Sequence, residues 1–140
     1  MPFVRISLPK HLSQGTKKAT SEAVHKSLIK EFNIPEDDYF HIVEELDKTQ
    51  IFFPKSYLGI THTENIIFVQ IFAGEGRTFE QKRRLYAQIA KNISLTTEIL
   101  MSDIIIILIE NSGKENWSFG FGEIQEPKHL LKGDLLYDNK

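Results

Sequence analysis

The chain has 140 residues, 41% hydrophobic and 26% charged, the balance of one ordinary globular domain or of two very small halves fused into one. A net charge of −2 without a block of like charges argues against a dedicated nucleic-acid or anionic-membrane surface. The absence of cysteine excludes disulfides, thiolate zinc sites and cysteine nucleophiles. The amino terminus does not read as a signal peptide, and the longest apolar run, residues 104–109, is far too short to span a bilayer. The expected location is the cytoplasm.

The chain opens with MPFVRISL. Residues 3–8 alternate and are β-rich, which predicts a strand. Pro2 follows the initiator directly, so removal of Met1 would leave a free secondary amine. That amine is either a reagent or merely the end of an edge strand. Residues 13–32 change to helical spacing, with Ala23, Val24, Leu28 and Phe32 on one stripe and His25 at its margin. Pro35 and the acidic turn PEDD end the helix, and YFHIVEEL returns to a strand. The first half therefore reads β-α-β.

Residues 51–64, IFFPKSYLGITHTE, contain Pro54 and Gly59 and predict a short strand or hairpin with a loop. NIIFVQIF (residues 65–72) is a predicted strand and GEGRT a turn. A helix is predicted over about residues 79–93, capped by Thr78, with Phe79, Leu85, Tyr86, Ile89 and Ile93 as its buried face. SDIIIILIE then gives another strand. Residues 126–140 carry leucine pairs but end polar, which predicts a partly ordered tail after a single domain over residues 1–125.

The second half repeats the first at a constant offset of 65. Phe3 and Val4 fall on Phe68 and Val69, Lys17 on Lys82, Val24 on Ile89, Asp38 on Asp103 and Glu45 on Glu110. The repeats span about residues 2–46 and 65–110. Right-handed crossovers place both helices on one face of one sheet. The expected fold is α+β: duplicated β-α-β units forming a four-stranded mixed sheet with two helices on one face. Residues 104–109 are apolar at every position, the pattern of a central strand covered on both faces. The economical cover for the second face is other copies of the chain.

The five histidines (His11, His25, His41, His62, His129) lack metal-ligand spacing, and His25 reads as a structural histidine. GEG and GFG are glycine turns without a phosphate-loop pattern, and no serine sits in a nucleophile elbow. Arg83 and Arg84 fall on the solvated side of the second helix. Arg77, between a strand and a helix start, suits a carboxylate fork, or equally a pairing with Glu75 or Glu80. Asp38 precedes the second strand, where turn and cap residues are common, and Asp103 holds the equivalent place. Trp117, Phe119 and Phe121 form either an apolar wall or core and interface packing. A terminal amine beside such a wall would lose proton affinity, because its charged form loses water.

MPFVRISL, IPEDD, RTFEQK and NWSFGFG occur in an order that resembles the tautomerase superfamily, nearest its fused-length malonate semialdehyde decarboxylase group. The resemblance covers about residues 2–125. It implies Pro2 as the catalytic amine, Asp38 as the group orienting water or substrate, Arg77 as the carboxylate anchor, and Trp117 and Phe119 as pocket lining. It also implies a homotrimer, a small carboxylated keto or enol substrate, and neither cofactor nor metal. The chain departs from the decarboxylase pattern in one respect: AGEGRT supplies one arginine, with Glu75 or Gly74 at the place of the second. Keto–enol tautomerisation is therefore the leading expectation. Decarboxylation or hydration, and a catalytically silent oligomeric binding protein, are the alternatives.

Overall fold

The structure, a computed structural model, describes residues 2–125; the expected tail lies outside the described residues. Strand β1 (Phe3–Pro9) buries Val4, Ile6 and Leu8 completely and turns Phe3, Arg5 and Ser7 to its other face, as a half-covered strand must. Helix α1 (Gln14–Phe32) starts where the Ser13 hydroxyl accepts the Thr16 N–H at 3.1 Å, and stops at Asn33, whose φ of 56° is left-handed. Strand β2 (His41–Leu46) follows. Two short strands, β3 (Ser56–Tyr57) and β4 (Ile60–Thr61), make the expected hairpin. Its tip, Leu58 and Gly59, has φ of 52° and 78°, and two left-handed residues in succession suit the twist of a tight hairpin.

Strand β5 (Ile67–Gly74) alternates buried and half-buried residues along its whole length. Helix α2 (Phe79–Thr96) opens with a reciprocal cap, Thr78 accepting from the Gln81 N–H and Gln81 from the Thr78 N–H. Strand β6 (Ile104–Asn111) closes the second unit. The sheet order is β2-β1-β5-β6, parallel within each unit and antiparallel at the β1–β5 seam. Both helices cover one face, where Val24, Leu28, Leu85, Ile89 and Ile93 pack on Val4, Ile6, Val69 and Ile71.

The offset of 65 holds throughout. It relates the caps Ser13 and Thr78, and it relates the ion pairs Lys17–Glu45 and Lys82–Glu110, each 2.7 Å long. Two expectations need correction. Phe79 is 80% exposed and does not belong to the buried face of α2. It precedes Leu85 by about 1.7 turns, which rotates it off the stripe of Leu85, Ile89 and Ile93. Strand β6, apolar on both faces, lies at the edge of the sheet rather than inside it, and Ile107 and Ile109 remain partly exposed on the open face.

At the end of the sheet where β5 and β6 begin, Asp103 is fully buried. Its carboxylate accepts the Thr63 N–H at 2.7 Å and also the Thr63 hydroxyl, and His62 Nδ1 lies 2.8 Å from the Ser102 carbonyl. These bonds tie the two strand starts together. Asp103→Ala would remove the buried acceptor of the Thr63 N–H and hydroxyl and should lower stability by about 1–3 kcal/mol. Urea unfolding at fixed protein concentration measures this; a loss below about 0.5 kcal/mol would show the tie to be dispensable.

Candidate active site

The opposite end of the sheet gathers four segments, and the pairing alone dictates this. Parallel β2 starts beside the start of β1, with Val4 opposite His41 and the Val4 N–H donating to the Phe40 carbonyl at 3.0 Å. Antiparallel β5 ends there, with Phe3 opposite Phe72. Parallel β6 ends beside it, with Gly74 opposite Asn111. Pro2, Asp38, the Arg77 turn and the Trp117 segment are thus brought to one edge by backbone geometry.

Pro2 is buried at the head of β1. Asp38 is half-buried in the turn before β2, its N–H donating to the Pro35 carbonyl at 3.1 Å. Burial, with a smaller contribution from Asp37, raises its carboxyl above the usual carboxylate range, against the lowering pull of the amino-terminal charge, His25 and Arg77. Arg77 therefore lies within electrostatic reach of Asp38. The Arg77 guanidinium donates to the Gly74 carbonyl at 3.1 Å and to the Phe32 carbonyl at 3.3 Å, and lies 4.7 Å over the Phe32 ring. Of the partners expected for it from the sequence, Glu80 is paired with Arg83 instead. The two carbonyls and the ring fix its orientation while leaving further N–H donors on the guanidinium.

Trp117 and Phe119 stack with rings 3° from parallel and centroids 5.6 Å apart. Phe40 extends the row, 5.2 Å from Phe119, and Trp117 donates its indole N–H to Asn111 Oδ1 at 2.9 Å. Phe121, by contrast, is 98% exposed. Sequence reasoning missed Phe40 and Asn111. Phe40 had a signal, since it is an aromatic residue two positions beyond Asp38 at the entry to the predicted strand. Asn111 had none beyond its place at a strand end.

Behind Asp38 stands a polar cluster. His25 Nε2 is 2.8 Å from the Glu36 carbonyl, and its ring stacks on Tyr39 at 3.9 Å. Ser21 Oγ lies 2.9 Å from both Tyr39 Oη and His41 Nδ1. A groove of about 620 Å³ runs past Lys17, Ser21, His25 and Tyr39 on the outer side of this cluster. Among the described residues no three His, Asp or Glu side chains converge as a metal-binding group, and no helix is long and apolar enough to cross a membrane.

Two models of a family described as "Tautomerase enzyme" match the chain, one over residues 38–120 and the other over residues 2–57. The probable tautomerase YusQ of Bacillus subtilis (strain 168) is 37% identical over 125 residues, 89% of this chain and 98% of that protein. The crystal structure of FG41 malonate semialdehyde decarboxylase inhibited by 3-bromopropiolate is 30% identical, with a TM-score of 0.83 over 94% of this chain and 96% of the other. A fused 4-OT solved as a symmetric trimer shares the fold at 16% identity, with a TM-score of 0.71 over 87% and 94% of the two chains.

His41 gives this region a pH signature. Burial, aided by the nearby His25, lowers its pKa from 6.5 to about 4. Between those values the unfolded chain binds the proton and the folded one does not. Stability is therefore fully present above about pH 6.5 and declines as pH falls toward 4. The whole shift corresponds to at most about 3 kcal/mol, and the ring's residual exposure reduces it. Urea midpoints for wild type and His41→Gln across this window should show a shallower slope in the variant; identical slopes would exclude His41 as the source.

Proposed function

Because the chain belongs to the tautomerase family, we propose that it is an enzyme in which Pro2 moves a proton during keto–enol tautomerisation of a small carboxylated carbonyl compound. The observation that carries this reading is the gathering of Pro2, Asp38 and Arg77 at one end of the sheet. With Met1 removed, Pro2 presents an amine whose reference pKa is about 7.7–8.0. In its neutral form it takes the enol hydroxyl proton. The double-bond electrons then take that proton back from the Pro2 ammonium at carbon, leaving the ketone and the neutral amine.

Arg77, held by the Gly74 and Phe32 carbonyls, binds the substrate carboxylate and sets the distance between the reacting carbon and the amine. Asp38 orients the substrate or a water beside Pro2. Trp117 and Phe119, extended by Phe40, give the pocket an apolar wall. The chemistry as written needs no cofactor.

Decarboxylation is the second reading, favoured by the 30% identity to FG41 malonate semialdehyde decarboxylase. It ranks second because the turn holds one arginine, and Glu75 beside it repels a second carboxylate contact. The open face of the sheet, carrying Ile42, Phe72, Ile107 and Ile109, supports assembly as a homotrimer through that face. Light scattering at micromolar concentration should give three chain masses; a stable monomer would overturn the trimer.

The activity is tested by comparing kcat/KM for phenylenolpyruvate and malonate semialdehyde on Met1-processed protein. The enol should be preferred, and protein that retains Met1 should be inactive, since an amide nitrogen cannot take the proton. Arg77→Ala should raise KM and lower kcat/KM for carboxylated enols by roughly ten- to a hundredfold, the equivalent of losing about 1.5–3 kcal/mol of charge-assisted bonding. Equal rates with and without Met1 would rule out Pro2, and a clear preference for the semialdehyde would reverse the order of the two readings.

A further inference from the structure

A carboxyl that works beside an amine must be held in place, and the two equivalent aspartates of this chain are held in different ways. Asp103 is held by its own oxygens, through the Thr63 N–H and hydroxyl. Asp38 sits in a turn whose two sides are gripped by a single side chain of α1. His25 Nε2 must carry the hydrogen toward Glu36, since a carbonyl only accepts, and this bond fixes the residue two positions before Asp38. The face of the same ring lies on Tyr39, the residue directly after Asp38, with centroids 3.9 Å apart and planes 22° apart. Tyr39 is held in turn, its hydroxyl 2.9 Å from Ser21 Oγ and its ring edge-on to His41 at 4.5 Å.

The repeat supplies an internal control. At the offset of 65, His25 corresponds to Ala90, Ser21 to Tyr86, Tyr39 to Ile104 and His41 to Ile106. The second unit builds the same helix-on-strand packing with Ala90, Ile104 and Ile106 in place of the two histidines and Tyr39, and with Tyr86 in place of Ser21, so the fold itself does not require the cluster. Burying polar side chains is unfavourable unless something is gained. His25 is 7% exposed and its Nδ1 finds no hydrogen-bond partner among the described residues, an arrangement that packing alone would not select. The cluster is present only in the unit whose aspartate lies beside Pro2.

We propose that His25 is the positioning residue for Asp38: its bond to the Glu36 carbonyl and its stack on Tyr39 fix the backbone on both sides of that aspartate, and so the direction of its carboxyl. This rests on the reading that Asp38 acts beside Pro2. The charged groups that act on Asp38 are the amino terminus, Asp37, His25 and Arg77, so His25 also contributes directly to the field at the carboxyl.

The test uses two variants of the full chain with Met1 removed. His25→Phe keeps a ring on Tyr39 but loses the N–H toward Glu36; His25→Gln keeps a donor but loses the ring. Kinetics with phenylenolpyruvate are measured beside the carboxyl-carbon NMR signal of Asp38 followed through its titration. His25→Phe should lower kcat by about tenfold or more and His25→Gln by about threefold, with KM within about twofold of wild type in both, because misplacement acts on the chemical step. The Asp38 signal should shift in both, and its titration should move upward in both, since neither replacement supplies the lowering influence of His25 on that carboxyl. If only one variant folds, its own kcat-against-KM split and Asp38 signal decide. An unmoved Asp38 signal, or a loss confined to KM or to thermal stability, would overturn the proposal. If wild type itself turns over neither phenylenolpyruvate nor malonate semialdehyde, the enzymatic reading fails, and the Asp38 signal still decides whether His25 positions the carboxyl.

Discussion

The antiparallel pairing of β1 with β5 is the contact on which the rest of the molecule depends. Each β-α-β unit is parallel within itself, so either unit alone would present two strand starts at one end and two strand ends at the other. Joining the units head to tail through this seam mixes the two kinds of end. The start of β1 then meets the end of β5, and a buried proline comes to the same end of the sheet as an arginine that is 75 residues away in sequence. No loop has to be long or unusual to achieve this. The seam also unites the covered faces of both units into one core beneath two adjacent helices.

Much of this was legible in the sequence because its signals are periodic. Alternation marks β1, and the stripe of Leu85, Ile89 and Ile93, spaced by four, marks α2. A constant offset survives because equivalent residues keep doing the same work, as the two equal ion pairs show. The errors arose where one local cue stood in for geometry. Phe79 is apolar but lies before the helix has turned toward the sheet. The isoleucine run states that both faces of β6 are apolar, and says nothing about its place in the strand order. Phe40, Asn111 and the His25 cluster escaped notice because each acquires meaning only from partners distant in sequence, such as Phe119, Trp117 and Tyr39.

The geometry around Arg77 shows how a single cation is prepared for a ligand. The carbonyl at the end of α1, the carbonyl of Gly74 and the ring of Phe32 hold the guanidinium from three sides. Side-chain freedom that would otherwise be lost on binding is already lost in the folded chain, so a carboxylate arriving there meets a fixed fork. Trp117 is fixed similarly, by its hydrogen bond to Asn111 and its stack on Phe119. Both sides of the candidate pocket are therefore preorganised by groups that a ligand need not touch.

Asp103 and Asp38 hold equivalent places in the two repeats but stand in different surroundings. Asp103 is fully buried and bonded on both oxygens, so a change there reduces the amount of folded protein and with it every property at once. At Asp38 burial opposes the charged form, so ionisation works against the folded state rather than for it. Drift would erase such an aspartate unless its loss were felt in what the protein does. On the function proposed above, position 103 is policed by abundance and position 38 by activity, which makes the repeated chain its own comparison between a carboxylate kept for architecture and one kept for use.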